Sequence, residues 1–263
     1  MSSFKERTGT NSLRVNRRIL GNPQKQKEDS MNQVKKYTST VALLATLLIA
    51  GLGYGVGVHA QQPEMTFFIT SAGPGDGANL RGLEGADAHC GKLAAAAGSK
   101  LTNWRAYLSV NAKVDRSSGK PKVIPGVNAR DRVGSGPWHN ARGLLIARDV
   151  NELHSGNNPI NKETGLDERG NTVNARGDKP NRHDILTGSD PNGFYSTAGG
   201  DTTCGGWTSN GQGSAIVGHH DRAGLSLDWH MLSWNSAHGT VGCSQADLRK
   251  TGGDGLFYCF HEQ

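Results

Sequence analysis

The chain of 263 residues is long enough for one large domain or two small ones, and either would bury a core of its own. Its formal net charge of +6 lies wholly in residues 1–60, which hold 9 Lys+Arg against 3 Asp+Glu; residues 61–263 hold 20 of each. The basic excess sits in a segment that reads as a removable leader, so the charge gives no ground for a nucleic-acid partner.

In chain order, residues 1–30 are polar and charged. They read either as an upstream extension from a misplaced start codon or as a cytoplasmic tail. From Met31 the anatomy of a secretory signal peptide is complete over 31–60: a charged stretch with Lys35 and Lys36, an apolar run from Val41 to about Gly53, and Val58-His-Ala60 as the cleavage site before Gln61. Left uncleaved, residues 41–58 would be a signal anchor at the lower length limit of a membrane span, the one route to a membrane association. In both cases the basic flank stays inside, and residues 61–263 are expected to be secreted or periplasmic. Cys90, Cys204, Cys243 and Cys259 all fall in that exported part. An even count in an oxidising compartment favours two disulfides, with three connectivities open, and the lack of C-x-x-C disfavours zinc or thioredoxin-like chemistry.

Met65–Ser71 is β-prone and closes on a Gly/Pro turn, which predicts the first strand. Ala86, Cys90, Leu93, Ala94 and Ala97 recur at helical spacing and Gly98 stands where a helix would end, so residues 83–97 are predicted as one long helix with Cys90 facing the core. Trp104–Ser109 reads as a second strand, 127–133 as a helical turn and Gly143–Ala147 as another strand. Between His154 and Pro180 the Asn- and Gly-rich composition predicts a surface excursion; its Arg176-Gly-Asp178 tripeptide reads as a plain polar turn. After Ile185 the pieces are short and Gly-rich, and include Ser214–Val217, His230–Trp234 and Leu256–Phe260. The pattern predicts a single α+β domain over 61–263 with a mainly antiparallel sheet.

Trp104-Arg-Ala-Tyr-Leu-Ser, Val127-Asn-Ala-Arg-Asp, Leu186-Thr-Gly-Ser-Asp-Pro-Asn-Gly, Cys204-Gly-Gly-Trp-Thr, and Cys243 with Phe257-Tyr-Cys259 follow an order that resembles the C-type lectin-like fold, in particular the endostatin-like domains. The likeness covers residues 66–260 and leaves the Asn-rich middle unexplained. It implies Gly-rich long loops and a nested pairing of Cys90 with Cys259 and Cys204 with Cys243.

The resemblance also implies a candidate calcium-dependent sugar site. Asp190-Pro-Asn192 and Trp234-Asn-Ser236 stand in the order of the sugar-binding triplets, and Asp190, Asn192, Asp201 and Asn235 are the expected calcium ligands. Two departures weaken it: Asp190 is a methylene shorter than the Glu of such triplets, and Ser236 replaces an Asp; the endostatin likeness, whose domains lack that calcium site, implies instead that Asp190-Pro-Asn-Gly193 is a plain turn and Trp234-Asn235 the end of a core strand. Trp207, Trp229 and Trp234 are aromatic faces of the kind that stack on sugars, although core positions suit them too. A second candidate is the cluster His219, His220, Asp221, Asp228, His230 and His238, residue types that hold metals or move protons but here follow no fixed spacing; adjacent His219 and His220 on a strand would face opposite ways. A third is an arginine surface, Arg130, Arg132, Arg142, Arg148 and Arg182, for matrix glycosaminoglycans or proteins.

The reading that follows is an exported, non-catalytic binding module for carbohydrate, glycosaminoglycan or glycoprotein ligands, with ligand contacts at Asp190, Asn192, Asp201, Trp234 and Asn235, calcium as the one conceivable cofactor, and no nucleic-acid partner. The alternative is a metal-dependent hydrolase built on His219, His220, Asp221, His230 and His238.

Overall fold

A computed structural model describes residues 64–263, and among these, ten strands and three helices, besides a kinked helical turn at Cys204–Trp207 and two 3-10 turns, order the chain. The polar extension 1–30 and the signal segment 31–60 lie outside the described residues. The strands are β1 (Phe67–Ile69), β2 (Trp104–Ala106), β3 (Lys113–Asp115), β4 (Lys122–Ile124), β5 (Trp138–His139), β6 (Leu145–Ala147), β7 (Asp184–Leu186), β8 (Ile216–His219), β9 (His238–Gly239) and β10 (Gly253–His261). The helices are α1 (Gly82–Ala96), α2 (Val150–Leu153) and α3 (Gln245–Thr251).

The main sheet runs β1-β10-β7-β8-β9, with β2 also paired to β10; every pairing is antiparallel except β10 with β7. Two small hairpins, β3-β4 and β5-β6, complete a mixed α+β architecture. β10 is the longest strand and is buried on both faces. Successive side chains of a strand point to opposite sides. Phe257 and Cys259 therefore join one core with Phe68, Trp104, Leu186 and Trp207, while Leu256, Tyr258 and Phe260 join a second with Phe67, Tyr107, Trp138 and Trp234.

Helix α1 forms where the helical spacing predicts it and buries Ala86, Cys90 and Ala94. Asp87, one turn from Cys90 on the same helix, ties α1 to its neighbours: it accepts a bidentate pair from Arg132 (2.9 and 2.8 Å), a bond from the Ala106 amide and a contact from Arg105. Helix α3 begins at Ser244, whose hydroxyl accepts from the Asp247 amide, and ends at Gly252, where φ is 117°. Ser caps and left-handed glycines are the expected punctuation of such a helix.

Three expectations are revised. The segment 154–180 is not a surface excursion: Ile160, Leu166, Val173 and Ala175 are buried, and the Glu168 carboxylate accepts from the amide and hydroxyl of Ser71. Its few apolar residues are spent on the second core, which a count of polar residues conceals. Residues 229–232 form a 3-10 turn instead of a strand, and Cys204–Trp207 is a kinked turn with Gly205 and Gly206 both at φ 71°. The seven-residue α3 is an addition to the one long helix expected.

Cys90 is bonded to Cys259, and Cys204 to Cys243. Two disulfides fit an oxidising, extracytoplasmic compartment. No helix among the described residues is long and apolar enough to cross a membrane. The bridges close loops of 169 and 39 residues, for which chain entropy gives about 5 and about 4 kcal/mol. Replacing Cys204 and Cys243 with serine should lower the denaturant-unfolding free energy by roughly 4 kcal/mol, and replacing Cys90 and Cys259 by slightly more; equal or smaller losses for the longer loop would count against an entropic origin.

Candidate metal centre

Strand register assembles the site. Asp184 opens β7 and stands directly opposite His219, the last residue of β8. His238 on β9 pairs with Val217, two residues before His219 and therefore on the same face of β8, which makes His238 the diagonal neighbour of His219. His183 precedes β7, and its ring stacks on that of His219 with centroids 4.3 Å apart. The Gly252–Gly253 corner between α3 and β10 lets this packing close: a Cβ on Gly252 would stand 3.0 Å from His183 Nε2, and the left-handed φ there already favours glycine.

Three imidazoles converge on one carboxylate. The Nε2 atoms of His183, His219 and His238 lie 3.1, 3.3 and 3.7 Å from Asp184 Oδ1, and those of His219 and His238 are 3.0 Å apart. One donor atom each of His183, Asp184 and His219 fits within a span of 4.8 Å, and all three residues are buried. The Asp184 side chain is 1 % exposed, yet neither of its oxygens accepts a hydrogen bond within the described residues. The histidine contacts have the distance of charge contacts but not the angle of hydrogen bonds. A buried carboxylate without partners is expensive, so the site calls for positive charge.

The other ring nitrogens show where that charge can come from. His183 Nδ1 donates to Asp221 Oδ1 at 3.2 Å, His219 Nδ1 to the Met231 carbonyl at 2.7 Å, and His238 Nδ1 to the Gly239 carbonyl at 3.2 Å. All three acceptors require a proton on Nδ1, so a neutral ring presents its Nε2 lone pair on the side of Asp184; the 3.0 Å bond between the Nε2 atoms of His219 and His238 needs one further proton, which a bound cation would displace. Such outer contacts are what fixes the tautomer of a metal-bound histidine. Asp221 is itself held by the amides of Arg176 (2.7 Å) and Ala223 (3.2 Å). Burial pushes its pKa up, but the bond from His183 and the two amides outweigh burial and hold it below the usual carboxylate range, so it remains an acceptor. Burial likewise opposes charge on His219; the Asp184 carboxylate and the Met231 carbonyl overcome it and leave the pKa above the usual histidine value.

Donors about 2.0–2.1 Å from a tetrahedral ion stand roughly 3.3 Å from one another. The separations of Asp184 from the three rings and of His219 from His238, 3.0 to 3.7 Å, lie around that value, and the closest set of donors is His183, Asp184 and His219, with His238 beside it. Imidazole and carboxylate donors without thiolate suit a first-row divalent ion of the zinc class. The absence of C-x-x-C therefore excludes only thiolate sites.

Of the cluster read from the sequence, the structure brings His219 and His238 to the centre and places Asp221 behind His183. His220 points the other way, as alternation requires; it is buried, which lowers its pKa, and its Nε2 is bonded to the Asn174 carbonyl. His230 packs on Trp229 and is not among the converging rings. The pair that sequence reasoning missed, His183-Asp184, carries no motif; only a buried, β-prone segment after two polar residues marks it.

The expected calcium ligands are used differently. Asp190 Oδ1 accepts from the amides of Asn192 and Phe194, both at 2.9 Å, and so closes a turn. Asn235 is buried; its amide donates to Tyr107 Oη and to the carbonyls of Asp190 and Pro191, and its Oδ1 accepts from Ser233. The Asp201 carboxylate accepts from the Thr203 and Gly205 amides and caps the Cys204 turn. Asn192 is exposed, and its carbonyl accepts from Arg130. Trp234 is buried against Tyr107 and Tyr258, so its faces are taken up by the core, and Trp207 is fully buried. The five arginines are each engaged locally: Arg132 with Asp87, Arg148 with Glu152, Arg182 with Asp254, Arg142 with the Gly170 carbonyl, and Arg130 with Asn192 and the Phe194 ring. In the tripeptide 176–178, Asp178 is turned inward to Lys162 and the Ala175 amide.

No family model and no curated protein matches this chain.

Asp184→Asn removes the buried charge while keeping the shape. Its thermal unfolding in chelator should match or exceed that of wild type, whereas zinc at about 100 times its dissociation constant should stabilise wild type by roughly 2.7 kcal/mol and the variant by far less. An equal zinc response in both proteins would show that Asp184 is not a ligand.

Proposed function

We propose that this protein is an exported metal-dependent binding module, secreted or periplasmic, in which His183, Asp184, His219 and His238 hold one divalent ion of the zinc class. The observation that carries the reading is Asp184: a buried carboxylate without hydrogen bonds, faced by three imidazole nitrogens whose opposite nitrogens are all tied to acceptors. His183, Asp184 and His219 are buried and form the fixed part of the donor set, while His238 is partly exposed on the two-residue edge strand β9. A cavity of 210 Å³, lined by His183, His219 and His238 together with Arg176, Leu225 and Met231, opens on the centre. An ion with protein donors on one side and a cavity on the other can take up a ligand as a Lewis acid.

Metal-assisted hydrolysis is the second reading, favoured by His238. In that reading the ion is held by His183, Asp184 and His219 alone, and the His238 Nε2, on the cavity side and not engaged as a ligand, would take the proton of a bound water.

Metal analysis of secreted protein should return one ion per chain. His219→Ala should lower the zinc affinity at least ~100-fold, since losing even an outer-shell partner of a ligand costs about 10–100-fold; His238→Ala should cost less, because its ring is the more exposed. Zinc affinity should also fall steeply as pH drops from 7 to 5, since imidazole binds a metal only as the neutral ring and protons compete with the ion for its nitrogen. Sub-stoichiometric metal, or an affinity independent of pH across that window, would overturn the reading. Turnover of activated ester or phosphate-ester probes that is lost in His238→Ala with the ion retained would establish the hydrolase.

A further inference from the structure

The loop between β8 and the 3-10 turn at 229–232 exposes Leu225, Leu227 and Trp229 at 86, 88 and 69 %. Three large apolar side chains within five residues form a patch of the kind that marks an interaction site. Leu225 is part of the wall of the cavity beside the candidate centre, as is Met231 further along the loop, and Leu227 and Trp229 continue the loop outside that wall. The loop's far end is fixed to the centre by the bond from His219 Nδ1 to the Met231 carbonyl, so the apolar rim is held in register with the ion.

The cavity also has a cationic wall. Arg176 lines it, and its guanidinium makes no ion pair or hydrogen bond among the described residues; only its backbone amide is committed, to Asp221. The carboxylate of the loop, Asp228, accepts from Ser226 Oγ at 2.6 Å. With a dication bound, Asp184, Asp221 and Arg176 leave the site one net positive charge, which a single anionic group on a ligand would neutralise. At 210 Å³ the cavity is smaller than the roughly 300–1,000 Å³ that encloses a whole drug-sized ligand, so it suits a head group whose remainder continues over the rim.

Resting on the metal reading above, we propose that the site binds a free monocarboxylate with an unbranched apolar chain, of the fatty-acid class. The carboxylate would lie between the ion and Arg176, and the chain would cover Leu225, Leu227 and Trp229. Arg176 gives a fork that matches a carboxylate in two bonds. The exposed leucines and tryptophan gain from losing water only if the bound chain is apolar.

The test uses the full exported protein, with metal content measured on every sample, and titration calorimetry with octanoate, octanol and acetate. Zinc-loaded protein should bind octanoate at least ~10-fold more tightly than octanol or acetate. Arg176→Gln, which keeps the backbone amide on Asp221, should lose about 10-fold for octanoate with its zinc retained. The triple change Leu225→Ser, Leu227→Ser, Trp229→Ser should reduce octanoate to the affinity of acetate. Octanol as tight as octanoate, octanoate binding unchanged in the triple variant, or equal binding to zinc-loaded and chelator-treated protein would each overturn the proposal. So would a loop that binds neutral phosphatidylcholine vesicles without competition from octanoate, or a protein that takes a peptide ending in leucine and not octanoate. Stoichiometric zinc with no octanoate binding refutes this ligand class alone, whereas a chain that holds no zinc refutes the metal reading itself.

Discussion

Strand β10 is the constraint on which the other parts depend. Its backbone pairs with β1, β2 and β7, so the first, second and seventh strands can be placed only around it. Because its side chains alternate between two cores, the strand needs apolar partners on both faces, which explains the nearly unbroken run Leu256–Phe260. Cys259 then anchors α1 from one face through Cys90, and Tyr258 donates from the other to the Trp234 carbonyl. A Gly-rich chain with many short strands acquires one defined arrangement because these separate ties meet on nine consecutive residues.

The same strand sets the candidate metal centre. Gly253 pairs with Asp184 in parallel, at the end of β10 where α3 turns into the sheet. That junction shields Asp184 from water, and the pairing of β7 with β8 carries His219 across to it. The site thus stands at an edge of the main sheet, built on rigid strand positions, while its rim belongs to the loop 224–231. Rigid donors with a more exposed loop beside them suit an ion that stays and a ligand that exchanges. Asp221 connects the two parts: it orients His183, and it is held in turn by the amide of Arg176 on the cavity wall.

The α+β class, the mainly antiparallel sheet, helix α1 and the strands at β1, β2, β6 and β10 were legible in the sequence because each rests on local periodicity or turn chemistry. The Asn-rich middle misled because its apolar residues are few and widely spaced, although Ile160, Leu166 and Val173 are all buried. Asp190-Pro-Asn192 and Asn235 do lie together, and their polar atoms satisfy the tight turn that Asp-Pro-Asn-Gly also spells in the sequence.

For the site, the sequence by itself determined that histidines and carboxylates gather between positions 219 and 238, that His219 and His220 must face opposite ways, and that the cysteines number enough for two bridges. Only the tertiary structure decided that donor atoms of His183, Asp184 and His219 come within 4.8 Å of one another with His238 beside them, while His220 and His230 stay apart. The reason is physical: their meeting depends on the register of three strands against one another. Register is set by which faces are buried against the two cores, and no spacing along the chain encodes it.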